Sequence, residues 1–201
     1  MTKHILIADI LSEAGSSAAK ALANKGWQIT GISACGGEGV DYVCNLMNRS
    51  EVMALVGRIE AEKGDVFGLL VSTAFQLPGV PFLDAAPDIW QARLDAWLRY
   101  ATNICYACGR KMVARQEGRI MVITPDFNRI KGDCVVEATA AGSLHGFLKS
   151  FGAEAAAARV CVNGIYAGLP FDFEAINATC DYLLAEGQYV SAQLIALSAE
   201  E

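Results

Sequence analysis

Short apolar runs alternate with stretches of helical hydrophobic spacing along the whole chain. His4–Ala8 is such a run, brief and almost wholly apolar, as a strand buried on both faces must be. Ser16–Lys25 follows with Ala18, Ala19, Leu22 and Ala23 at helical spacing, and Gly26 ends it. Further strands are predicted at Trp27–Ile32, Asp41–Cys44, Val66–Ser72, Ile120–Ile123 (stopped by Pro125), Val160–Ile165 and Val190–Leu197. Between them lie a helix capped by Ser50, carrying Val52, Met53, Val56 and Ile59, a long helix from Asp88 to about Gln116, and helices at Val135–Ala158 and Phe173–Glu186. Pro78 to Pro87 reads as an irregular connection. Strands that alternate with helices of this length pair in parallel, because each helix is the crossover between two strands. The expected fold is therefore α/β: a Rossmann-like, doubly wound parallel sheet in three α/β/α layers, built as one domain over residues 1–201.

Composition narrows the function. The chain of 201 residues has 16 Lys+Arg against 22 Asp+Glu, a net charge of −6, so a nucleic-acid binder is not expected. Hydrophobic residues make up 53% and charged ones 19%, below the usual charged share of about 25%, so disorder is not expected. No run approaches the length of a membrane span, and Ile5-Leu6-Ile7-Ala8 is too short for a signal peptide. The seven cysteines are scattered singly. Together these predict a cytoplasmic protein with reduced thiols. Cys105 and Cys108 form a C-x-x-C in mid-helix, where buried free thiols are expected rather than a redox or zinc pair. His4 and His145 have no ligand pattern around them, so no metal is expected.

Seven segments, in order, resemble the short-chain dehydrogenase/reductase family. Ala8-Asp9-Ile10-Leu11-Ser12-Glu13-Ala14-Gly15 stands where that family has Thr-Gly-x-x-x-Gly-x-Gly, and Ala18 to Gly26 matches its first helix. Val71-Ser72-Thr73-Ala74-Phe75 takes the place of Asn-Asn-Ala-Gly. Gly118 to Pro125 resembles Gly-Arg-Ile-Val-Asn-Ile-Ser-Ser, and Gly146-Phe147-Leu148-Lys149-Ser150 resembles Gly-Leu-Thr-Lys-Ser. Arg159 to Ile165 resembles the strand carrying Arg-Val-Asn-Ala-Val, and Tyr189-Val190-Ser191-Ala192-Gln193 resembles Tyr-Val-Thr-Gly-Gln.

The resemblance covers the scaffold and departs at the chemistry. Of the three cofactor-site glycines only Gly15 remains, Asp9 and Glu13 replacing the others. A carboxylate about 4 Å from a phosphate is repelled by roughly 1 kcal/mol in water and about 4 kcal/mol near a protein surface. Asn45 stands where the family commonly has an Asp near the adenine. Registering Lys149-Ser150 on the family pattern puts Glu137 at the tyrosine and Ala141 at the lysine of Tyr-x-x-x-Lys, Thr124 or Pro125 at the serine, and Trp97 at the asparagine. The adenosine-side helix is shortened to a link from Ser33 to Val40, and the substrate-loop insertion after Gly168 is missing.

The resemblance thus implies a catalytically inactive member, not itself an enzyme, that binds no cofactor. It would support assembly of an intact family subunit holding NAD and oxidising a CoA-thioester alcohol, in a hetero-oligomer, a heterotetramer, of the kind found in anaerobic toluene degradation. The long helix, Val135–Ala158 and the last helix and strand would carry the interfaces, with Trp97 filling the former active-site space. Two alternatives stay open: a small-molecule binding module in the vacated crevice, and a non-nicotinamide enzyme using Asp126 and Glu137 as an acid/base pair. For Asp126, which follows Pro125, a solvated or capping turn is the simpler expectation.

Overall fold

In the computed structural model the described residues are 3–73, 81–84, 86–126, 134–168 and 170–197. Seven strands, β1 (His4–Ala8), β2 (Gln28–Ser33), β3 (Tyr42–Val43), β4 (Val66–Ser72), β5 (Gly118–Pro125), β6 (Val160–Ala167) and β7 (Leu194–Leu197), form one sheet in the order β3-β2-β1-β4-β5-β6-β7. Every pairing is parallel. The helices are α1 (Glu13–Asn24), α2 (Arg49–Lys63), α3 (Pro87–Arg115), α4 (Val135–Ala155) and α5 (Phe173–Ala185). The order reverses between β1 and β4, which opens a crevice at the carboxyl ends of those strands.

The two faces of the sheet carry separate cores. Leu6, Ala8, Leu69, Val71, Ile120 and Val122 pack under α2, α3 and α4. Ile5, Ile7, Phe67, Leu70, Met121 and Ile123 pack under α1 and α5. Alternation along each strand sends neighbouring side chains to opposite layers. In β4 the alternation slips: Val66 and Leu69 share a face because the β1–β4 register shifts between His4 and Ile5. Gly68 lies beside this irregularity, and a Cβ there would lie 2.5 Å from Ile5 Cδ1 and 2.7 Å from Leu184 Cδ2.

The predicted sheet and layers are observed; several ends differ. α1 begins at Glu13, not Ser16, because Ser12 Oγ accepts from the Gly15 N–H at 3.0 Å. Asn48, not Ser50, caps α2, its Oδ1 accepting from the N–H groups of Ser50 and Glu51. β5 runs through Pro125, which pairs with Ala167, and the next N–H, of Asp126, donates to Ala167 O at 2.8 Å. The final strand is only Leu194–Leu197. Residues 190–193 are held instead by a side chain: Asn163 Nδ2 donates to Val190 O at 2.8 Å, and Gln193 N–H donates to Asn163 Oδ1 at 3.1 Å. Ala74, Phe75 and residues 78–80 and 85 of the Pro78–Pro87 connection lie outside the described residues.

Candidate functional site

The site expected from the topology is the crevice at the carboxyl ends of β1, β4, β5 and β6. Asp9 is the first residue beyond β1 and has a φ of 60°. That left-handed conformation normally calls for glycine, and Asp is among the few other residues that tolerate it. Its N–H donates to Ile32 O at 2.9 Å, and its Oδ1 accepts from Ser33 Oγ at 3.3 Å. Burial raises the Asp9 carboxyl pKa, partly opposed by the Ser33 hydroxyl. Glu13 is exposed in the first turn of α1. Gly15 is where helix and strand meet: a Cβ there would lie 2.4 Å from Asp9 O.

The next two residues pack against β2 and the link that follows it. Ile10 is 4% exposed, and its Cδ1 lies 2.4 Å from where a Gly31 Cβ would stand. Leu11 Cδ2 lies 2.6 Å from the corresponding point on Gly37. Both aliphatic chains thus reach over the bare backbone of β2 and the β2–β3 link, and that link contains no helix. Asn45 is exposed, its Oδ1 accepting from the Met47 N–H at 3.0 Å as part of the turn into α2.

The four positions matched to the family's catalytic residues are all buried. Trp97 is 1% exposed, Thr124 1%, Glu137 2% and Ala141 3%. Trp97 belongs to the core under α3 and α4. Glu137, in the first turn of α4, accepts through Oε1 from Arg93 Nη1 of α3 at 2.8 Å. Its other oxygen, Oε2, is buried and has no hydrogen-bond partner among the described residues. An unpaired buried carboxylate oxygen is costly, so this atom marks a place where a donor would be welcome.

Asp126 departs from the expected solvated turn, being 8% exposed at the end of β5. It lies close enough to His145 on α4 to oppose electrostatically the lowering of that histidine's pKa, which burial causes. The His145 ring lies 5.2 Å from that of Tyr166 on β6. No hydrogen bond joins Asp126 to Glu137 among the described residues.

Arg93 and Asn103 were not singled out by the sequence reading. Arg93 stands four residues after Ile89 and four before Trp97, so the helical period already put a cation on the apolar stripe of α3. Asn103, 7% exposed, donates from Nδ2 to Leu46 O at 3.0 Å, tying α3 to the turn before α2. Cys105 and Cys108 are buried, and burial pushes the Cys105 thiol up to about 12. His4 lies at the opposite end of the sheet, between Gly64 O and Thr30 Oγ1. Among the described residues no three of His, Cys, Asp and Glu gather as metal ligands, and no helix is long and apolar enough to cross a membrane.

Residues 6–179 match a family described as enoyl-(acyl carrier protein) reductase. Two solved structures are similar over nearly their whole length. One is titled the crystal structure of gox2181: TM-score 0.86, 16% identity, with 98% of this chain and 95% of the other covered. The second is a citronellol catabolism dehydrogenase (AtuB) from Pseudomonas aeruginosa PAO1: TM-score 0.86, 17% identity, 98% and 93% covered. No curated protein matches the chain. These matches correct the expectation of a chain that is not an enzyme: the family matched and the titled dehydrogenase are oxidoreductases. The expectation was built on replaced residues at a handful of positions, and a replaced acid/base group does not by itself abolish a site.

Proposed function

We propose, from the premise that the chain belongs to the short-chain dehydrogenase/reductase family, that it works within an oxidoreductase assembly whose NAD is held by a partner subunit of the same fold. The observation that carries this reading is the set of side chains following β1. The residues there do not fit a dinucleotide pyrophosphate. Such a group needs free N–H donors at a helix N-terminus and glycines that let it approach the backbone. Here Ser12 Oγ already takes the Gly15 N–H, Ile10 and Leu11 cover Gly31 and Gly37, and a carboxylate, Asp9, held by Ser33, stands where the family has a glycine. An oxidoreductase-family chain built this way contributes by supporting the assembly and stability of a subunit that does bind NAD.

The surfaces for that role are α3 with α4, and β7 with α5. β7 is the last strand of the sheet order, and Leu194–Leu197 contains neither proline nor lysine to blunt the edge. A cytoplasmic hetero-oligomer, a heterotetramer, acting on a CoA-thioester alcohol is the assembly we favour. The heteromeric 2-(hydroxybenzyl)succinyl-CoA dehydrogenase of anaerobic toluene degradation contains a subunit whose pattern of replacements this chain resembles.

The test is co-expression with an intact family member, followed by native mass spectrometry and titration of NADH. One NADH per partner subunit is expected, and truncation after Gln188 should release the partner. Micromolar NADH binding by the isolated chain would refute the reading.

A second reading rests on its own observation, the buried and unpartnered Oε2 of Glu137. That oxygen would accept a hydrogen bond from a small hydroxyl- or amine-bearing ligand, or act with Asp126 in proton transfer without nicotinamide. Turnover by the isolated chain that falls on Glu137→Gln would favour it.

A further inference from the structure

The amino ends of β5 and β6 border a cleft of about 750 Å³. β5 spans eight residues, so this cleft lies roughly 25 Å along the sheet from the crevice. Arg115, Arg119 and Arg159 line it, in a chain of net charge −6. Arg115 is already neutralised by Glu60, at 2.9 Å. Arg119 and Arg159 form no ion pair among the described residues. Arg119 Nη1 donates to Gly118 O at 2.8 Å and to Arg159 O at 3.4 Å, so its guanidinium is set beside the Arg159 backbone. Its Nε is buried and has no partner among the described residues. Arg159 is exposed, and its φ of 57° turns the chain sharply between α4 and β6. The nearby Glu117 is engaged by Lys3 at 3.0 Å, which limits its opposition to an anion.

The lining also includes an aromatic ring. Tyr189 is 90% exposed. Its backbone is pinned on both sides: Cys161 Sγ donates to Gln188 O at 3.3 Å, and Asn163 Nδ2 donates to Val190 O at 2.8 Å. An exposed ring on a fixed support loses little conformational freedom when something stacks on it.

We propose that this cleft is a binding site for a phosphate ester with a planar end, a nucleoside 5′-phosphate or diphosphate. Arg119 and Arg159 clamp the phosphate, and Tyr189 stacks on the base. Planar guanidinium forks match phosphate oxygens in pairs, and their charge is not lost at any physiological pH. The volume lies within the range of small-molecule sites, about 300–1,000 Å³. The site is separate from the crevice.

The experiment is calorimetric titration of the full chain with ADP, AMP and inorganic pyrophosphate. ADP should bind, and raising salt from about 50 to about 500 mM should weaken it, as expected for exposed charges. Arg159→Gln, at an exposed position, should lower ADP affinity at least tenfold with an unchanged melting temperature. Arg119→Gln should lower ADP affinity as well. Tyr189→Ser should weaken ADP about tenfold and leave pyrophosphate unchanged. ADP affinity that survives Arg159→Gln would put the ligand elsewhere and overturn the proposal. Failure of all three probes to bind at millimolar concentration would also overturn it.

Discussion

Replacing Arg93 by Met tests whether the α3–α4 junction depends on a buried charge pair. The Arg93–Glu137 contact is 2.8 Å long, with the two side chains 18% and 2% exposed. Two unit charges at that distance attract by about 6 kcal/mol at an effective dielectric near 20. Desolvation offsets most of this in the intact pair, so the pair's net worth is small. Removing the cation leaves the offset without the attraction, and breaking such a pair costs about 3–5 kcal/mol. Glu137→Leu should cost less, because Arg93 is nearer to solvent and makes a further interaction. The double variant, Arg93→Met with Glu137→Leu, should regain most of the loss, giving a coupling energy of about 2–4 kcal/mol. Urea melts of the four proteins, with unchanged slopes, measure it. A coupling below about 0.5 kcal/mol would mean that water reaches the pair and that the burial argument is wrong.

Trp97→Ala should cost about 3–5 kcal/mol in the same melts, since an indole with 1% exposure leaves a large cavity; a loss under about 1 kcal/mol would refute its place in the core. Asp9→Asn should stabilise the chain by about 0.5–2 kcal/mol at pH 7, because Asn tolerates the φ of 60° and removes a charge that burial disfavours. The gain should shrink on acidification, because the native Asp9 carboxyl takes up its proton above the unfolded value. Burial lowers the pKa of both His4 and His145, so the unfolded chain binds protons that the native chain refuses. Their contribution is fully present above the unfolded value of 6.5 and is lost as pH falls through it, so melts at pH 7.5 and 5.5 should differ, and less so in His4→Gln.

Periodicity made the sheet legible because a strand buried on both faces has few residues that suit it. Val66–Ser72 matches to the residue, every position buried between two layers and all but the terminal Ser72 without a polar side chain. The misplaced ends have local causes. Asn48 and Ser12 cap their helices through oxygens that any of several nearby Ser or Asn could have supplied, and only geometry chooses among them. The strand expected from Val190 fails because Asn163, a polar residue on a central strand, takes the backbone groups of Val190 and Gln193.

In the site, the family register brought out Trp97, Thr124, Glu137 and Ala141, all four of them buried. It gave no sign of the Arg93 partner, because an alignment to a tyrosine carries no information about what a glutamate in its place would need. It also led to the expectation of a non-enzyme, since a list of replaced residues does not contain the family membership of the whole chain.

The sheet order has a consequence for how the chain is made. β4 pairs with β1, and from there each later strand lies beside the one just before it: β5 on β4, β6 on β5, β7 on β6. A ribosome releasing this chain from its N-terminus thus presents each new strand to an edge that is already built. Closing a parallel pair across a long loop is slow, and accretion confines each closure to a single crossover. Force-sensitive translational arrest should accordingly register separate steps as β4, β5 and β6 leave the exit tunnel. Until β7 arrives, the exposed edge of β6 is the point at which a nascent partner strand could dock instead, so pairing between two chains and completion of one chain compete for the same row of amides.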